Sequence, residues 1–552
     1  MRTVRLFLTS FLTALLLMLI SVITPAQSDV MMQGFYWNVP NGWYDTVSAK
    51  AAELQSVGFT AIWLPPPSKG ASGSSSMGYD PFDQYDIGDY NQEGTVATRF
   101  GTEQDLLNVV STYHYYGIQV YADIVMNQMD GGAQEWNPYT NSYTYTKFTY
   151  PHHLFEKYYE YFHPNDIHPD NNPPYHNADF GPDLCQAVQA VRSGFETWGD
   201  WLTRTVGYDG YRLDDVKQIE PGFIAEWLNY GAMAGKWAVG EFWDGSTTNV
   251  ENWINQENRE ASAFDFPLFF LLNSMCNTTN GSFDMTQLDH AGVAGIDPMK
   301  AVTFAENHDT DRSDPIIYDK MMAYAYILIS EGRPCVFWKD YYNYGLKPGI
   351  DNLIWIREHL DGGTTSVLYK DGDLYVAQRN GYGSAPGCVL VLNDNASNWL
   401  GAWVQVKWTN TTMHDYTGHA IDKSSDGNGW VQLWAPPRGY AVYAPAGLGK
   451  KSVKNPNDVA GKEVPSAFDL KQNYPNPFNP STLISYSVQK ETFVTLKVYN
   501  MLGQVVNTLV SGTKAPGQYE VSFNGSRLPS GMYIYQLRAG NFEKSVKMQL
   551  LK

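Results

Sequence analysis

The stretch Gly210-Tyr-Arg-Leu-Asp-Asp215 begins as a short run typical of a buried strand and ends in two adjacent carboxylates. Short β-branched or aromatic runs of this kind recur eight times before residue 340, and longer helical patterns separate them. Eight strands that alternate with helices predict an α/β fold, the (β/α)8 or TIM barrel. The predicted strands are Val30–Tyr36, Thr60–Leu64, Gln119–Val125, Gly210–Leu213, Trp237–Val239, Ala263–Phe266, Ala301–Phe304 and Pro334–Phe337.

One connection in this pattern is too long for an ordinary barrel loop. About sixty residues separate Val125 from the helical pattern that begins near Gln186, far more than the usual strand-to-helix loop. We therefore expect a small inserted domain over the barrel mouth after strand three. Residues 362–446 return to short strands with Gly and Asn turns, which predicts an antiparallel β domain packed on the barrel.

The charge balance reverses near residue 448. The chain of 552 residues has a net charge of −19, but from Leu448 onward it has 13 basic and 6 acidic residues. A polar segment with a proline joins the two units, and the alternating runs after it predict a further β-sandwich. The predicted units are a signal peptide (1–28), the catalytic barrel (29–126 and 187–361), inserted domain B (127–186), β domain C (362–446), a linker (447–466) and a tail (467–552).

The N-terminus predicts export from the cytoplasm. Arg2 and Arg5 precede a largely apolar run from Phe11 to Ile23, and Ala26-Gln-Ser28 offers small residues for signal peptidase. A membrane anchor is the alternative interpretation, but the run is short for a span and a cleavage site follows it. Since no later stretch is long and apolar enough to cross a bilayer, we expect no transmembrane segment in the mature protein.

The composition argues against two further classes of protein. A strongly acidic net charge repels nucleic acid and anionic membranes, so neutral or cationic ligands are favoured. The four cysteines are too widely spaced for the disulfide framework of a small secreted domain. They are Cys185, Cys276, Cys335 and Cys388.

Ionisable residues collect where four predicted strands end, which is where a TIM barrel places its catalytic groups. The segments are Tyr121 to Asn127, Gly210 to Asp215, Val239 to Glu241, and Glu306 to Asp309. Several carboxylates with one Arg and one His fit cleavage of a glycosidic bond, which needs one ionised and one protonated carboxyl. A lone carboxylate after a strand is as typical of a helix cap, but four in register favour catalysis.

These segments resemble glycoside hydrolase family 13, the α-amylase family, over residues 30 to about 446. Gly-Pro-Asp183-Leu belongs to the same pattern, and the segments Ala61 to Gly70 and Met77 to Asp83 look most like archaeal and plant α-amylases. The resemblance implies a secreted enzyme that hydrolyses internal α-1,4 bonds of starch or glycogen with retention, through a covalent glycosyl-enzyme. Its expected partners are starch, glycogen and malto-oligosaccharides.

The family pattern implies Asp214 as the nucleophile, Glu241 as the proton donor and Asp309 as a ligand of the sugar hydroxyls. The fixed charge of Arg212 would keep Asp214 ionised, whereas Glu241 needs a raised pKa. A retaining mechanism requires the two carboxyls to lie roughly 5 to 5.5 Å apart. Ordinary packing for Tyr79 and a solvated charge for Lys217 are the alternative interpretations. The expected substrate-binding residues are Tyr79, Arg212, Lys217, His308 and Gln128.

Gln128 is a departure from the family pattern, which usually has a histidine after Asn127. An amide can replace an imidazole in a hydrogen bond but never carries its charge. Gln128 either faces the sugar beside the scissile bond or turns away and packs into the inserted domain. Gln218 replaces another histidine, but there the family uses the main-chain carbonyl.

Two metal sites follow from the resemblance. A structural Ca²⁺ site would join the inserted domain to the barrel through oxygen ligands. A possible Zn²⁺ site corresponds to a trio in archaeal relatives, although the spacing before Cys185 has about three extra residues and is weak evidence by itself. The expected calcium ligands are Asn127, Asp170 or Asn171, Asp183 and the carbonyl of Gln218, and the possible zinc ligands are His163, His168 and Cys185.

The tail resembles the Por-type sorting domain of the bacterial type IX secretion system. The matching segments are Asn473 to Thr482, Val498 to Gln504 and Leu528 to Tyr533. The competing interpretation is a starch-binding module, but the tail has no Trp to stack on sugars. We therefore expect the secretion machinery as a second partner and an extracellular or cell-surface location.

Two other functions remain open from the sequence. A family transglycosylase or maltogenic enzyme keeps the same carboxylates and differs in its acceptor subsites. A non-catalytic glucan-binding surface protein would be expected to lack one of Asp214, Glu241 and Asp309, and all three are present.

Overall fold

The barrel is closed by eight parallel strands in sequential order, as predicted. The computed structural model describes residues 29–169, 180–448 and 467–551, except 474–475, 479–480, 491, 515–516 and 527. The predicted signal peptide and most of the predicted linker lie outside these residues. Strand one pairs with strand two and strand eight, which closes the ring. The strands are Met31–Gln33, Ala61–Trp63, Gln119–Ile124, Gly210–Leu213, Trp237–Gly240, Ser262–Phe264, Ala301–Phe304 and Arg333–Phe337.

Helices surround the barrel, and their ends follow local chemistry. Thr102 and Asp105 form a reciprocal capping box at the start of the helix after strand two. The helix after strand three ends at Gly207, whose φ of 86° is the left-handed conformation that glycine adopts without strain. The helices are Trp43–Ser48, Ala51–Val57, Glu103–Tyr115, Gln189–Val206, Pro221–Leu228, Thr247–Gln256, Phe266–Asn277, Thr310–Ser313, Lys320–Ile329, Trp338–Tyr342 and Lys347–His359. No helix among the described residues is long and apolar enough to cross a membrane.

The inserted segment after strand three contains a hairpin of Ala133–Asn137 with Ser142–Lys147. It is fastened to the loop after strand two, where Lys69–Gly70 pairs with Pro81–Asp83. The buried Lys157 donates to Oε1 of Gln84 at 2.8 Å. This contact holds the insertion over the carboxyl ends of the barrel strands.

The β domain after the barrel contains a six-stranded and a two-stranded antiparallel sheet. One face of the larger sheet shares the hydrophobic core of the barrel, to which Leu390 and Val442 contribute. Arg438 crosses the same junction, because its Nε pairs with Asp319 at 2.9 Å. The strands are Thr365–Lys370, Leu374–Arg379, Cys388–Asn393, Leu400–Gln405, Thr412–Asp415, Lys423–Ser424, Trp430–Ala435 and Gly439–Pro445.

The tail is a β-sandwich of a three-stranded and a four-stranded sheet, as predicted. Its buried side chains, among them Val498 and Tyr535, form a core separate from that of the barrel. The strands are Asp469–Leu470, Ser481–Val488, Thr492–Tyr499, Val505–Lys514, Gly517–Asn524, Gly531–Ala539 and Phe542–Leu550.

The separate cores predict independent unfolding of the tail. A chain that ends at residue 448 should melt within about 2 °C of the full-length main transition, because little of the barrel core is lost. Scanning calorimetry of both chains measures this shift. Truncation at residue 361, which removes the β domain and exposes the shared core, should abolish the transition. A fall of ten degrees after removal of the tail alone would contradict separate cores.

Candidate active site

A buried guanidinium joins the ends of strands three, four and five. Nη1 of Arg212 lies 2.8 Å from Oδ1 of Asp123 and 2.7 Å from Oδ1 of Asp214. Nη2 of the same residue lies 2.5 Å from Oε2 of Glu241. All four side chains are buried. These distances show that the two carboxyls expected to form the catalytic pair share one cation at the barrel mouth.

The register of the barrel brings these residues together. Asp123 on strand three lies opposite Arg212 on strand four, and Leu213 lies opposite Gly240 on strand five. Asp214 and Glu241 directly follow strands four and five, and both lie at the carboxyl edge of the sheet. The sequence alone did not indicate Asp123 as a site residue, because its contact with Arg212 depends on strand pairing.

Burial shifts the protonation of this cluster. It raises the pKa of Glu241 well above the ordinary value of a glutamate, against the opposing charge of Arg212. Burial also raises the pKa of Asp214, and that of Asp123 to about 6. Arg212 acts to lower the pKa of Asp214, in the expected direction, but the loss of solvation outweighs the guanidinium.

Asp309 follows strand seven across the mouth of the barrel and is 34% exposed. Nε2 of His308 lies 3.2 Å from its Oδ2, and Nη1 of Arg312 lies 3.4 Å from its Oδ1. Burial lowers the pKa of His308 to about 4, so its imidazole is neutral near pH 7. Its Nδ1 lies 2.8 Å from Nε2 of Gln33, at the end of strand one.

Aromatic rings line the same mouth. The Tyr79 ring stacks on His308 with centroids 5.3 Å apart, and its hydroxyl donates to Oδ2 of Asp123 at 2.7 Å. Trp37 lies beside both rings, with its centroid 5.9 Å from that of Tyr79 and 6.2 Å from that of His308. Sequence reasoning missed Trp37, although its position four residues after strand one was a signal.

Gln128 faces the catalytic cluster. Its Nε2 donates to the carbonyl of Tyr79 at 3.0 Å, and a hydrogen bond from its amide to Asp214 acts to lower the pKa of that carboxyl. Lys217, by contrast, is partly exposed and donates to Asp244 at 2.9 Å and to the carbonyl of Trp243 at 3.2 Å. The structure thus brings Gln128 into contact with the buried carboxyl cluster, whereas Lys217 pairs with Asp244 outside that cluster.

Three of the calcium ligands expected from the sequence, Asn127, Asp183 and the carbonyl of Gln218, lie close together. The side-chain oxygen of Asn127 faces acceptors only, with the Gln218 carbonyl at 3.1 Å and Oδ1 of Asp183 at 3.0 Å. Hard oxygen donors are what Ca²⁺ prefers, and the Asn127 side chain, the Asp183 carboxylate and the Gln218 carbonyl bring three of them together. The residues therefore fit calcium. Asp170 and Asn171 lie outside the described residues.

The possible zinc ligands also meet. One donor atom from each of His163, His168 and Cys185 lies within 4.8 Å of the others. Nδ1 of His163 is hydrogen-bonded to Oδ2 of Asp183 at 2.6 Å, which leaves Nε2 toward the other two residues. A carboxylate on the far ring nitrogen is typical of zinc-bound histidine, and nitrogen with sulfur donors suits Zn²⁺.

Three family models match the chain. The model described as the alpha amylase catalytic domain matches residues 38–341, and that described as the alpha-amylase C-terminal domain matches residues 388–444. A secretion system C-terminal sorting domain matches residues 472–551. The three matches follow the order of the barrel, the β domain and the tail.

Curated relatives with similar sequences are α-amylases and related glucan hydrolases. An α-amylase of Geobacillus stearothermophilus is 31% identical over 74% of this chain and 87% of its own length. A glucan 1,4-alpha-maltohexaosidase of Bacillus sp. (strain 707) is 30% identical over 74% of this chain and 92% of its own length. A probable α-amylase of Arabidopsis thaliana is 27% identical over 63% of this chain and 85% of its own length. This plant enzyme is less similar than the two bacterial ones, so the expectation that the chain looks most like archaeal and plant α-amylases is not borne out.

Solved structures share the fold. An α-amylase from Malbranchea cinnamomea superposes with a TM-score of 0.59 at 18% identity, over 77% of this chain and 98% of its own. The α-amylase of Geobacillus thermoleovorans, solved with acarbose, has a TM-score of 0.54 at 18% identity, over 76% of this chain and 98% of its own. At such low identity the likeness is one of fold.

Proposed function

Since the chain belongs to the α-amylase family of glycoside hydrolases, we propose that it cleaves internal α-1,4-glucosidic bonds of starch and glycogen with retention of configuration. Its C-terminal sorting domain marks it as a secreted or cell-surface protein. The observation that carries the proposal is the contact of Asp214 and Glu241 with one buried guanidinium. Two carboxyls that contact the same guanidinium suit double displacement, in which the pair lies roughly 5 to 5.5 Å apart.

In this mechanism the Asp214 carboxylate attacks the anomeric carbon while Glu241 gives its proton to the glycosidic oxygen. The C–O bond breaks, the shortened glucan leaves as an alcohol, and an ester joins the sugar to Asp214. Glu241, now ionised, takes a proton from water, which attacks the anomeric carbon and releases Asp214. Burial raises the pKa of Glu241 well above the ordinary value of a glutamate, which supports its role as the acid.

The opposite wall would hold the sugar. Asp309 is more exposed than Asp214 and Glu241, so its carboxylate can accept hydrogen bonds from sugar hydroxyls. The His308 imidazole lies beside it at 3.2 Å. The neutral imidazole of His308 can serve as a hydrogen-bond partner without adding charge. Tyr79 and Trp37 would supply the apolar surface for a sugar ring, and Lys217 would act only at the rim.

A narrower product range is the second candidate. A relative at 30% identity is named a glucan 1,4-alpha-maltohexaosidase, so release of one malto-oligosaccharide is compatible with the same carboxylates. Transglycosylation also keeps them and differs only in the acceptor. The products released from soluble starch during the first few per cent of hydrolysis separate these activities from random internal cleavage.

Metals would stabilise the insertion. Asn127, Asp183 and the Gln218 carbonyl would hold Ca²⁺, which supplies a positive charge that binds the insertion to the barrel. His163, His168 and Cys185 would hold Zn²⁺, a structural cross-link within the insertion. Neither ion takes part in bond cleavage in this proposal.

The two carboxyls predict a bell-shaped pH profile. Activity falls in acid as Asp214 gains a proton, and in alkali as Glu241 loses one. Glu241→Gln should lower kcat/KM on starch by about 10²- to 10⁴-fold and remove the alkaline limb. It should spare kcat/KM for a maltosyl fluoride, whose leaving group needs no acid in the first step, although turnover slows because water then lacks its base. Asp214→Asn should lose both activities.

Products followed by NMR should first be α-anomers, and initial β-anomers would refute retention.

The contact between Gln128 and Asp214 predicts a shift of the acid limb. Gln128→Ala removes a hydrogen bond that lowers the pKa of Asp214, so that pKa rises and the acid limb of kcat/KM moves to higher pH. Gln128→Glu tests the same contact, because an added carboxylate should move the limb further. Initial rates on maltoheptaose from pH 3 to 9 measure it. Identical profiles for wild type and both variants would show that Gln128 does not act on Asp214.

Chelation predicts a loss of stability that depends on Cys185. Metal bound only by the folded state raises stability by about 2.7 kcal/mol at a hundredfold excess over Kd. EDTA should therefore lower the melting temperature by several degrees, and Cys185→Ser should shrink this difference and remove zinc from the purified protein. Cys388→Ser, another buried thiol, is the matched control and should leave the difference unchanged. Equal zinc content in both variants would exclude Cys185 as a ligand.

A further inference from the structure

The smaller sheet of the β domain has an unusual outer face. Its two strands, Leu400–Gln405 and Trp430–Ala435, alternate between a buried and an outward side. The buried side packs aliphatic residues such as Val404 and Leu433 into the domain core. The outward side of such a pair normally carries polar residues, yet here Trp403 is 63% exposed and Trp430 is 43% exposed.

The register arranges these side chains as a stripe. Trp403 lies opposite Gln432, and Trp430 lies opposite Gln405, so each exposed indole has an amide beside it. Trp434 lies opposite Gly401 and completes a zigzag of three indoles, with diagonal neighbours about 7 to 8 Å apart.

Gly401 allows the third ring to lie flat. A Cβ at this glycine would lie 2.5 Å from Cδ2 of Trp434, so the indole occupies the space directly above its backbone. One ring face is thus packed on the sheet, and Trp434 remains only partly buried. The outer surface is therefore broad, apolar and fixed.

We propose that this stripe, formed by Trp403, Trp430 and Trp434, binds a second stretch of α-glucan outside the active site. The inference rests on the proposed function, since it assumes a polymeric glucan as substrate. Flat indoles cover the apolar C–H face of a sugar ring, and the amides of Gln405 and Gln432 can bond to its hydroxyls. All six outward positions are uncharged, which suits a neutral polymer.

A second copy of the chain is a less suitable occupant. A stable protein interface takes about 20 to 30 residues a side, whereas this sheet presents six outward positions. The amide of Gln405 already donates to the carbonyl of Asn428 at 2.9 Å, which keeps that side chain low along the surface. A single extended chain fits such a narrow stripe.

Depletion from solution by granular starch at 4 °C tests the proposal. The full-length protein is compared with the double variant Trp403→Ala/Trp430→Ala and with Tyr382→Ala, which removes an exposed aromatic elsewhere in the same domain. The double variant should lose affinity for granules by about tenfold or more, the loss expected for two stacking rings. Tyr382→Ala should bind as wild type, and Trp403→Phe should keep part of the affinity.

Hydrolysis of soluble maltoheptaose is measured in parallel, and the double variant should keep the wild-type kcat/KM. Absence of maltoheptaose hydrolysis by the wild type would refute the proposed function, whatever the granules show. Granule binding by the double variant equal to that of wild type and control would overturn the stripe. A wild-type dimer in sedimentation that the double variant converts to a monomer would also overturn it, because the face would then be a protein interface.

Discussion

The buried guanidinium of Arg212 is the interaction on which the site depends. It is one positive charge in contact with three buried carboxyls, from Asp123, Asp214 and Glu241. Three ionised carboxylates around one cation would leave a buried net charge, which is very costly in a medium of low dielectric. The cluster is stable only if it retains protons, and Glu241, whose pKa is raised furthest above its ordinary value, holds one of them. The protonated carboxyl that the proposed mechanism needs thus follows from the same electrostatics that hold the three strand ends together.

The barrel could be predicted because its strands are buried on both faces and appear as short continuous apolar runs. Each of the eight predicted runs overlaps a barrel strand, although the first strand, Met31–Gln33, is shorter than expected. Asp214, Glu241 and Asp309 could be named from the ends of those runs. Contacts across the barrel could not: Trp37 on Tyr79 and Gln33 on His308 join residues distant in sequence. The net rise in the pKa of Asp214 could not be predicted for a similar reason, since the extent of burial depends on packing from every side.

The β domain shows a different limit. The alternation in Trp403-Val-Gln405 and Trp430-Val-Gln432 was visible in the sequence, but which set faces outward becomes certain only from the register and the core. In the insertion, His163 and Cys185 lie close together although they are distant in the sequence, and only a resemblance paired them. Local pattern thus predicts elements, whereas the sites depend on how those elements face one another.

The buried carboxyls of the site have a consequence for the whole molecule at different acidities. In an unfolded chain Asp123 and Glu241 would titrate near pH 4, whereas in the folded protein burial raises both pKa values, that of Asp123 to about 6. Such groups contribute stability that is fully present below pH 4 and is lost as the pH rises through the folded values. The catalytic cluster therefore opposes folding under alkaline conditions and favours it in acid. An enzyme released from the cell does not control the pH of its surroundings. The buried carboxyls of its own active site make its fold more stable in acidic surroundings than in alkaline ones.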